Sequence, residues 1–311
     1  MNDLLIIGGG PAGVAAGVYA ARKQLRTVLV AEEIGGQSTV SEGIENWIGT
    51  PKIPGAELAK AFRAHLDAVK NGFVDIREGE RIEKREKAAD GKTFLATTKK
   101  GEAIETRSVL ITSGAARRRL DVPGADTFEH KGVTYCASCD GPIFGGQDVA
   151  VVGGGNAGFE TALQLLAYAN SVTLIHRRND FKADAVTVQR AKEHHNMTVM
   201  TPYEPVSVEG EKFVSGLKVR NVETNEESTL SVTGVFVEIG VIPNSGFVNG
   251  LVELDAVGHI ITNPRNQRTS VEGIWAAGDI TDALYHQNNI AAGDAVKALE
   301  DLYLWLKTEG V

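Results

Sequence analysis

Apolar residues in this chain fall in short unbroken runs that end at clusters of glycine. Leu4–Ile7 leads into Gly8, Gly9 and Gly10, and Val149–Val152 leads into Gly153, Gly154 and Gly155. Short apolar runs bounded by turn residues predict strands buried on both faces, as in parallel sheets. An Ala-rich segment follows each cluster and predicts a helix packed closely on its strand. A second apolar run then closes each unit, Thr27–Ala31 in the first and Val172–Ile175 in the second. The repeat reads LLIIGGGPAG over 4–13 and VAVVGGGNAG over 149–158. Residues 81–107 and 206–233 are charged, alternating and turn-rich, which predicts two β-meanders. Segments 113–120 and 240–247 are turn-rich and predict the places where the chain crosses between domains.

Both copies of the repeat carry G-x-G-x-x-G between a strand and a helix, the context in which that spacing marks a dinucleotide site. Gly8, Gly10 and Gly13, and likewise Gly153, Gly155 and Gly158, would let the backbone approach a pyrophosphate at a helix N-terminus. One such motif is also compatible with a plain tight turn; two in matching context point to two nucleotide-binding domains. The expected fold is therefore α/β, with two Rossmann-like dinucleotide-binding domains of the three-layer ββα type, the second inserted into the first. The expected boundaries are 1–115 and 246–311 for the first domain and 116–245 for the second.

Residues just past the second strand of each unit separate the sites. Glu32 lies nineteen residues after Gly13, and Arg177 lies nineteen after Gly158, flanked by His176 and Arg178. A carboxylate there accepts hydrogen bonds from ribose hydroxyls and repels a 2′-phosphate, whereas arginines attract the phosphate. The first site thus suits FAD or NAD, and the second suits NADP. The bland alternatives are an exposed loop carboxylate at Glu32 and a solvated basic strand end at 176–178. Arg117–Arg119 reads as a solvated basic segment or a partner contact.

Composition narrows the picture. Glycine is 35 of 311 residues, with proline only 9, so the surplus belongs to particular turns rather than to low complexity. Net charge is −8, which argues against nucleic acid as a partner. Leu4–Ala21 is long and uncharged, but it contains five glycines and a proline and follows Asp3, so it reads as strand, turn and helix rather than a membrane span. With only two cysteines, a reduced cytoplasmic setting is expected.

Both cysteines lie in Cys136-Ala137-Ser138-Cys139-Asp140. Cys-x-x-Cys favours a redox dithiol, because one thiolate is stabilised while the two sulfurs close a small ring. A zinc site lacks a second Cys pair, and His194 and His195 are adjacent, so no metal is expected. Asp140 could hold a proton beside the dithiol or cap a helix.

Taken together, these motifs resemble the low-molecular-weight bacterial-type thioredoxin reductases. TYCASCDGP is similar to that family's active-site signature, HRRNDFKA to its NADPH motif, and IENWIG and GGQ to its flavin-contacting loops. SVEGIWAAGDI followed by HQN is similar to its C-terminal FAD segment. KGVTYC, GGGNAG and VFVEIGVIPN are closer to the reductase part of the alkyl hydroperoxide reductase flavoprotein. That flavoprotein carries N-terminal thioredoxin-like domains, which are not expected here because the first motif begins at residue 4.

The resemblance implies FAD on Gly8, Gly10, Gly13, Glu32, Gly36, Gln37, Asn46, Asp279 and Gln287. It implies NADPH on Gly153, Gly155, Gly158, His176, Arg177, Arg178 and Lys182. Hydride would pass from nicotinamide to flavin, which opens a Cys136–Cys139 disulfide through Cys139. Cys136 would then attack the partner's disulfide, with Asp140 as acid/base. Rotation of one domain on the other, hinged at the two crossings, would let nicotinamide and dithiol alternate at the flavin. The implied partner is thioredoxin or a thioredoxin-like protein, and the implied assembly a homodimer. Three positions depart from the pattern: Lys182 replaces an arginine, His286 stands where an arginine usually precedes the flavin glutamine, and Gly158 is more typical of NAD sites. Rival readings are an NADH-linked reductase of a peroxidase-system disulfide carrier, a dithiol oxidase passing electrons to oxygen, and a flavin-loaded redox sensor without turnover.

Overall fold

The computed structural model describes residues 1–40, 44, 46–87, 93–135 and 137–308. In chain order, the first elements are β1 (Asn2–Ile7), α1 (Pro11–Arg22), β2 (Thr27–Ala31), α2 (Gly55–Val69), β3 (Val74–Glu78), β4 (Ile82–Lys87), β5 (Phe94–Thr98) and β6 (Ala103–Ile111). A short strand at the first crossing, β7 (Ala115–Arg117), precedes β8 (Val133–Thr134), α3 (Ala137–Asp140), β9 (Asp148–Val152), α4 (Asn156–Leu165), β10 (Ser171–Ile175) and α5 (Ala185–Lys192). Next come β11 (Met197–Met200), β12 (Tyr203–Gly210), β13 (Val214–Asn221), β14 (Glu227–Leu230), β15 (Gly234–Val237) and, at the second crossing, β16 (Val241–Pro243). The chain ends with β17 (Ile274–Ala276) and α6 (Asn288–Thr308).

Two compact units result: Met1–Ala116 with Ile242–Val311, and Arg117–Val241. The second break falls a few residues earlier than the sequence pattern suggests, because Asn244 is tied into the first unit. Its Nδ2 donates to Ser113 O (2.9 Å), its backbone N–H to Gly114 O (3.0 Å), and its carbonyl accepts from Ser113 Oγ (3.1 Å).

In the first unit β1 lies between β2 and β6, parallel to both, in a sheet ordered β3-β2-β1-β6-β5-β4. Alternate residues of β1 serve opposite faces. Leu4 and Ile6 pack with α1, α2 and α6, whereas Leu5 and Ile7 pack with Phe94, Ile104 and Ile260. Burial on both faces explains why the strand is apolar at every position. The meander does not form a separate sheet here. The first half of β6 pairs antiparallel with β5, and its last three residues pair parallel with β17, so one long strand serves both. On the helical face, the Trp275 and Trp305 rings meet edge to face at 5.6 Å, and Trp275 Nε1 donates to Asp301 (3.0 Å).

The second unit has a five-stranded parallel sheet, β11-β10-β9-β15-β8, and a separate antiparallel sheet, β12-β13-β14. Val149 and Val151 of β9 face Phe159 and Leu165 of α4; Ala150 and Val152 face Val208, Leu217 and Val219 of the antiparallel sheet. This is the expected three-layer arrangement. No helix among the described residues is long and apolar enough to cross a membrane.

The strand-to-helix turns have no room for a side chain at the first and last glycine of the motif. A methyl group on Gly13 would lie 1.8 Å from Gly8 O, a backbone atom that cannot swing aside. Gly13→Ala is therefore expected to destabilise the chain by about 1–3 kcal/mol, the usual cost of overpacking, seen as a lower midpoint in thermal or denaturant unfolding.

Candidate functional site

Both glycine turns are built alike. Gly8 has φ +121° and Gly153 φ +132°, and a methyl group there would lie 2.2 Å from Thr112 O or 2.0 Å from Glu238 O. Gly13 and Gly158 would place theirs 1.8 and 2.0 Å from the carbonyls of Gly8 and Gly153. By contrast, Gly10 and Gly155 face open space. Each of the latter is the N-cap of its helix and offers no side chain to cap it. The first-turn N–H groups of α1 and α4 are thereby left for an external acceptor, at the positive end of the helix dipole. Such a cradle suits an anionic group such as a phosphate.

In the first unit a cavity of about 440 Å³ opens over this turn. Gly8, Gly10, Glu32, Gly36, Gln37 and Asp279 line it, together with Thr112 and Arg81. Gly36 has φ +56° and approaches Gly10 so closely that a methyl group would sit 3.0 Å from Gly10 Cα. Glu32 is exposed, with Arg81 Nε 3.8 Å from its carboxylate. Burial pushes the Asp279 carboxyl above the usual range, and the charge of His286 works against that shift. Gly13 does not line the cavity; its place is the helix–strand contact. Asn46 and Gln287 are brought to each other: Asn46 Nδ2 donates to Gln287 Oε1 (2.9 Å), and Asn289 Nδ2 donates to Asn46 O (2.6 Å).

In the second unit His176 packs onto the turn. A methyl on Gly154 would lie 2.5 Å from His176 Cγ, Nε2 is 3.0 Å from Asp180 O, and the ring is 5.6 Å from that of Phe181. Burial, with Arg178 and Arg177 nearby, lowers its pKa. Arg177, Arg178 and Lys182 are exposed and have no hydrogen bond or ion pair among the described residues. Such unpaired cations at a strand end can meet an anion without first breaking an internal pair. Arg117 and Arg119 are engaged instead of merely solvated: Arg119 Nη1 is 3.1 Å from Glu129, and Arg117 Nη1 is 3.9 Å from Glu238.

Glu238 was not legible as a functional candidate. Its position matches Thr112, since each residue's carbonyl fills the space beside the first glycine of its turn. The signal that could have found it is the strand-end pattern VLITSG over 109–114 against VFVEIG over 235–240. Thr112 is neutral and bonds to Ile7 O and Gly8 O. Glu238 is a carboxylic acid that accepts from Thr161 Oγ1 (2.9 Å). Burial raises its pKa, opposed by Arg117 and Thr161 and reinforced by Glu160.

Of the dithiol motif, Cys136 lies outside the described residues, as do the side chains of Ser138 and Cys139. Asp140 ends α3, and its carboxylate accepts from Thr134 Oγ1 without capping the following turn. Among the described residues no cluster of side chains could hold a metal ion.

The family described as pyridine nucleotide-disulphide oxidoreductase matches residues 2–295. The F subunit of alkyl hydroperoxide reductase from Staphylococcus aureus (strain NCTC 8325 / PS 47) is 40% identical over 296 residues, 95% of this chain and 57% of that protein. A Bacillus subtilis (strain 168) protein named NADH dehydrogenase is 38% identical over the same shares. The chain thus spans little more than half the length of these curated relatives. The crystal structure of Lactococcus lactis thioredoxin reductase superposes with a TM-score of 0.87 at 32% identity, covering 99% of both chains. That of T. acidophilum thioredoxin reductase gives 0.83 at 34%, covering 97% of this chain and 98% of that one.

Glu238 also makes stability depend on pH. A carboxyl whose folded pKa is raised stabilises the fold below the ordinary glutamate pKa of about 4.3 and loses that contribution as pH rises through the folded value. The stability of the wild type relative to Glu238→Gln should therefore fall as pH rises above the ordinary glutamate value, read as the difference between their thermal midpoints across that range. Identical pH profiles for the two proteins would contradict this.

Proposed function

The chain belongs to the pyridine nucleotide-disulphide oxidoreductase family, and on that premise we propose that it is an FAD-dependent, NADPH-driven protein disulfide reductase acting on thioredoxin or a thioredoxin-like protein. The observation that carries this reading is the pair of like-built cradles. Each has a glycine N-cap open to solvent and no side chain capping its helix. A chain with two dinucleotide sites and a Cys-x-x-Cys-Asp motif has the means to take electrons from one dinucleotide, relay them through another and deliver them to a disulfide. A redox sensor has no use for the second site.

The first cavity suits FAD. The α1 N-terminus would hold its pyrophosphate, Glu32 would accept from ribose hydroxyls, and Asp279 from hydroxyls deeper in the cavity. When bound, flavin supplies a two-electron relay between a nicotinamide and a disulfide. The second site would take NADPH on the α4 N-terminus, with Arg177, Arg178 and Lys182 receiving the 2′-phosphate. His176, packed on the turn, would support the loop as well as border the ligand. Cys136 and Cys139 would form the redox dithiol, which gives two electrons to the acceptor's disulfide as it becomes a disulfide itself. Asp140, oriented by Thr134, would hold or return the thiol proton. A homodimer in the cytoplasm is part of the same reading.

A second reading has its own support. The curated relatives bear the names alkyl hydroperoxide reductase, F subunit, and NADH dehydrogenase, which favours an NADH-linked reductase serving a peroxidase-system carrier. The exposed cations at 177, 178 and 182 speak for NADPH. Solvent screens them, so their effect should lie at the low end for charge-assisted hydrogen bonds.

Anaerobic titration of the flavin-loaded protein with NADPH and NADH in parallel, followed by a panel of thioredoxins, tests the proposal. A preference for NADPH of about tenfold in kcat/KM is expected. Arg177→Glu should narrow or reverse it, and equal use of both coenzymes with no response to Arg177→Glu would move the enzyme to the NADH-linked reading. Cys136→Ser and Cys139→Ser should both still accept hydride yet reduce no protein disulfide. A long-wavelength thiolate-to-flavin charge-transfer band is expected in Cys136→Ser and not in Cys139→Ser.

A further inference from the structure

The two glycine turns match in their backbone but not in the side chains that stand against their helices. In the first unit the residue after β6 is Thr112, bonded to Ile7 O and Gly8 O, and the residue three past Gly13 is Ala16, fully buried among apolar groups. In the second unit the same two positions are Glu238 and Thr161. Glu238 follows β15, donates its backbone N–H to Val152 O (2.8 Å), and fills the space beside Gly153 with its carbonyl. Its side chain, 15% exposed, reaches α4, where Oε1 accepts from Thr161 Oγ1 (2.9 Å). Arg117 Nη1 stands 3.9 Å from the same oxygen, too far for a hydrogen bond, and is itself buried with no hydrogen-bond partner.

A fastening between β15 and α4 would explain the Thr161 bond but not the choice of an acid, since a carboxamide accepts the same bond with no charge to desolvate. Nor would it explain the cation held beside the acid and left unbonded. We propose that Glu238 is a positioning residue of the second dinucleotide site, which holds Arg117 near the α4 cradle and sets, by its own proton, whether that guanidinium adds to the field that receives an anionic dinucleotide or is cancelled from it. This rests on the reading that the cradle takes a nicotinamide dinucleotide.

The electrostatics fix the sign. With a proton on Glu238, Arg117 keeps an uncancelled positive charge near the turn. Once Glu238 ionises, its charge offsets that of Arg117 and opposes a pyrophosphate at the end of the same helix. Burial pushes the Glu238 carboxyl above the ordinary glutamate value; Arg117 and the Thr161 bond work against that, and Glu160 on α4 adds to it. The other charged or titratable groups of the site are His176, packed on Gly154, and the exposed Arg177, Arg178 and Lys182. They are common to the wild type and to any Glu238 variant, so a comparison between the two isolates the carboxyl.

The test is calorimetric binding of ADP-ribose to the flavin-loaded full chain, in which the first cavity is already filled. ADP-ribose has the pyrophosphate but no 2′-phosphate, a monoester that would titrate near pH ~6 and mask the effect. Glu238→Gln keeps an acceptor for Thr161 and cannot ionise. The ratio of the wild-type Kd to that of Glu238→Gln should rise about threefold or more between about pH 5 and about pH 8. With Arg117→Gln added to both proteins, the rise should move to higher pH, because the charge that most opposes protonation of Glu238 is gone; a merely disturbed fold would not produce that shift. A Kd ratio that does not change with pH, or a rise unmoved by Arg117→Gln, would overturn the proposal while leaving the dinucleotide reading intact. No binding of ADP-ribose by either protein at any pH would overturn the reading of the second cradle, and the role of Glu238 with it.

Discussion

At the first and last glycine of each G-x-G-x-x-G motif a backbone carbonyl occupies the space where any side chain would begin. Thr112 O and Glu238 O crowd Gly8 and Gly153, and the carbonyls of Gly8 and Gly153 in turn crowd Gly13 and Gly158. This close approach sets each helix N-terminus directly above the end of its strand. The uncapped N–H donors of α1 and α4 gather there, and the open faces of Gly10 and Gly155 leave the way to them clear. The surrounding layers hold the approach in place: β1 is locked between β2 and β6, and β9 between β10 and β15. Apolar contacts on both faces of each sheet prevent the strand from shifting under its helix.

The same cradle has been given two electrostatic settings. Beside the first turn stands Thr112, whose hydroxyl is satisfied by the local backbone. Beside the second stands Glu238, a half-buried acid whose carboxylate lies 3.9 Å from Arg117 Nη1. The first cavity has its own acid, Asp279, whose carboxyl burial pushes up. A chain of net charge −8 can receive polyanionic dinucleotides only where local cations and helix ends outweigh the overall field. Under the proposed function, Glu32 and Arg177 would then sort the ligands by the groups on the ribose.

The two units also differ in how the meander is attached. In the first, β6 is long enough to pair with β5 at one end and β17 at the other, so a single sheet results. In the second, the antiparallel strands form their own layer over Ala150 and Val152. A repeated cradle therefore does not require a repeated scaffold around it, only the strand, the turn and the helix.

The features readable from the chain alone are contiguous ones. A strand running into G-x-G-x-x-G and a helix is specified within some twenty residues, because only glycine tolerates both the positive φ and the carbonyl contact. The two turns, their helices and the parallel strands were legible for that reason. Glu238 beside Gly153, Arg117 facing Glu238 and Asn46 on Gln287 were not. Each of these pairs joins segments far apart in the chain; Glu238 meets Gly153, for example, only when β15 settles next to β9. Burial then changes how the groups behave, raising Glu238 and Asp279. A carboxylate's character depends on its solvation and on the charges facing it, and both are set only once distant segments have packed together.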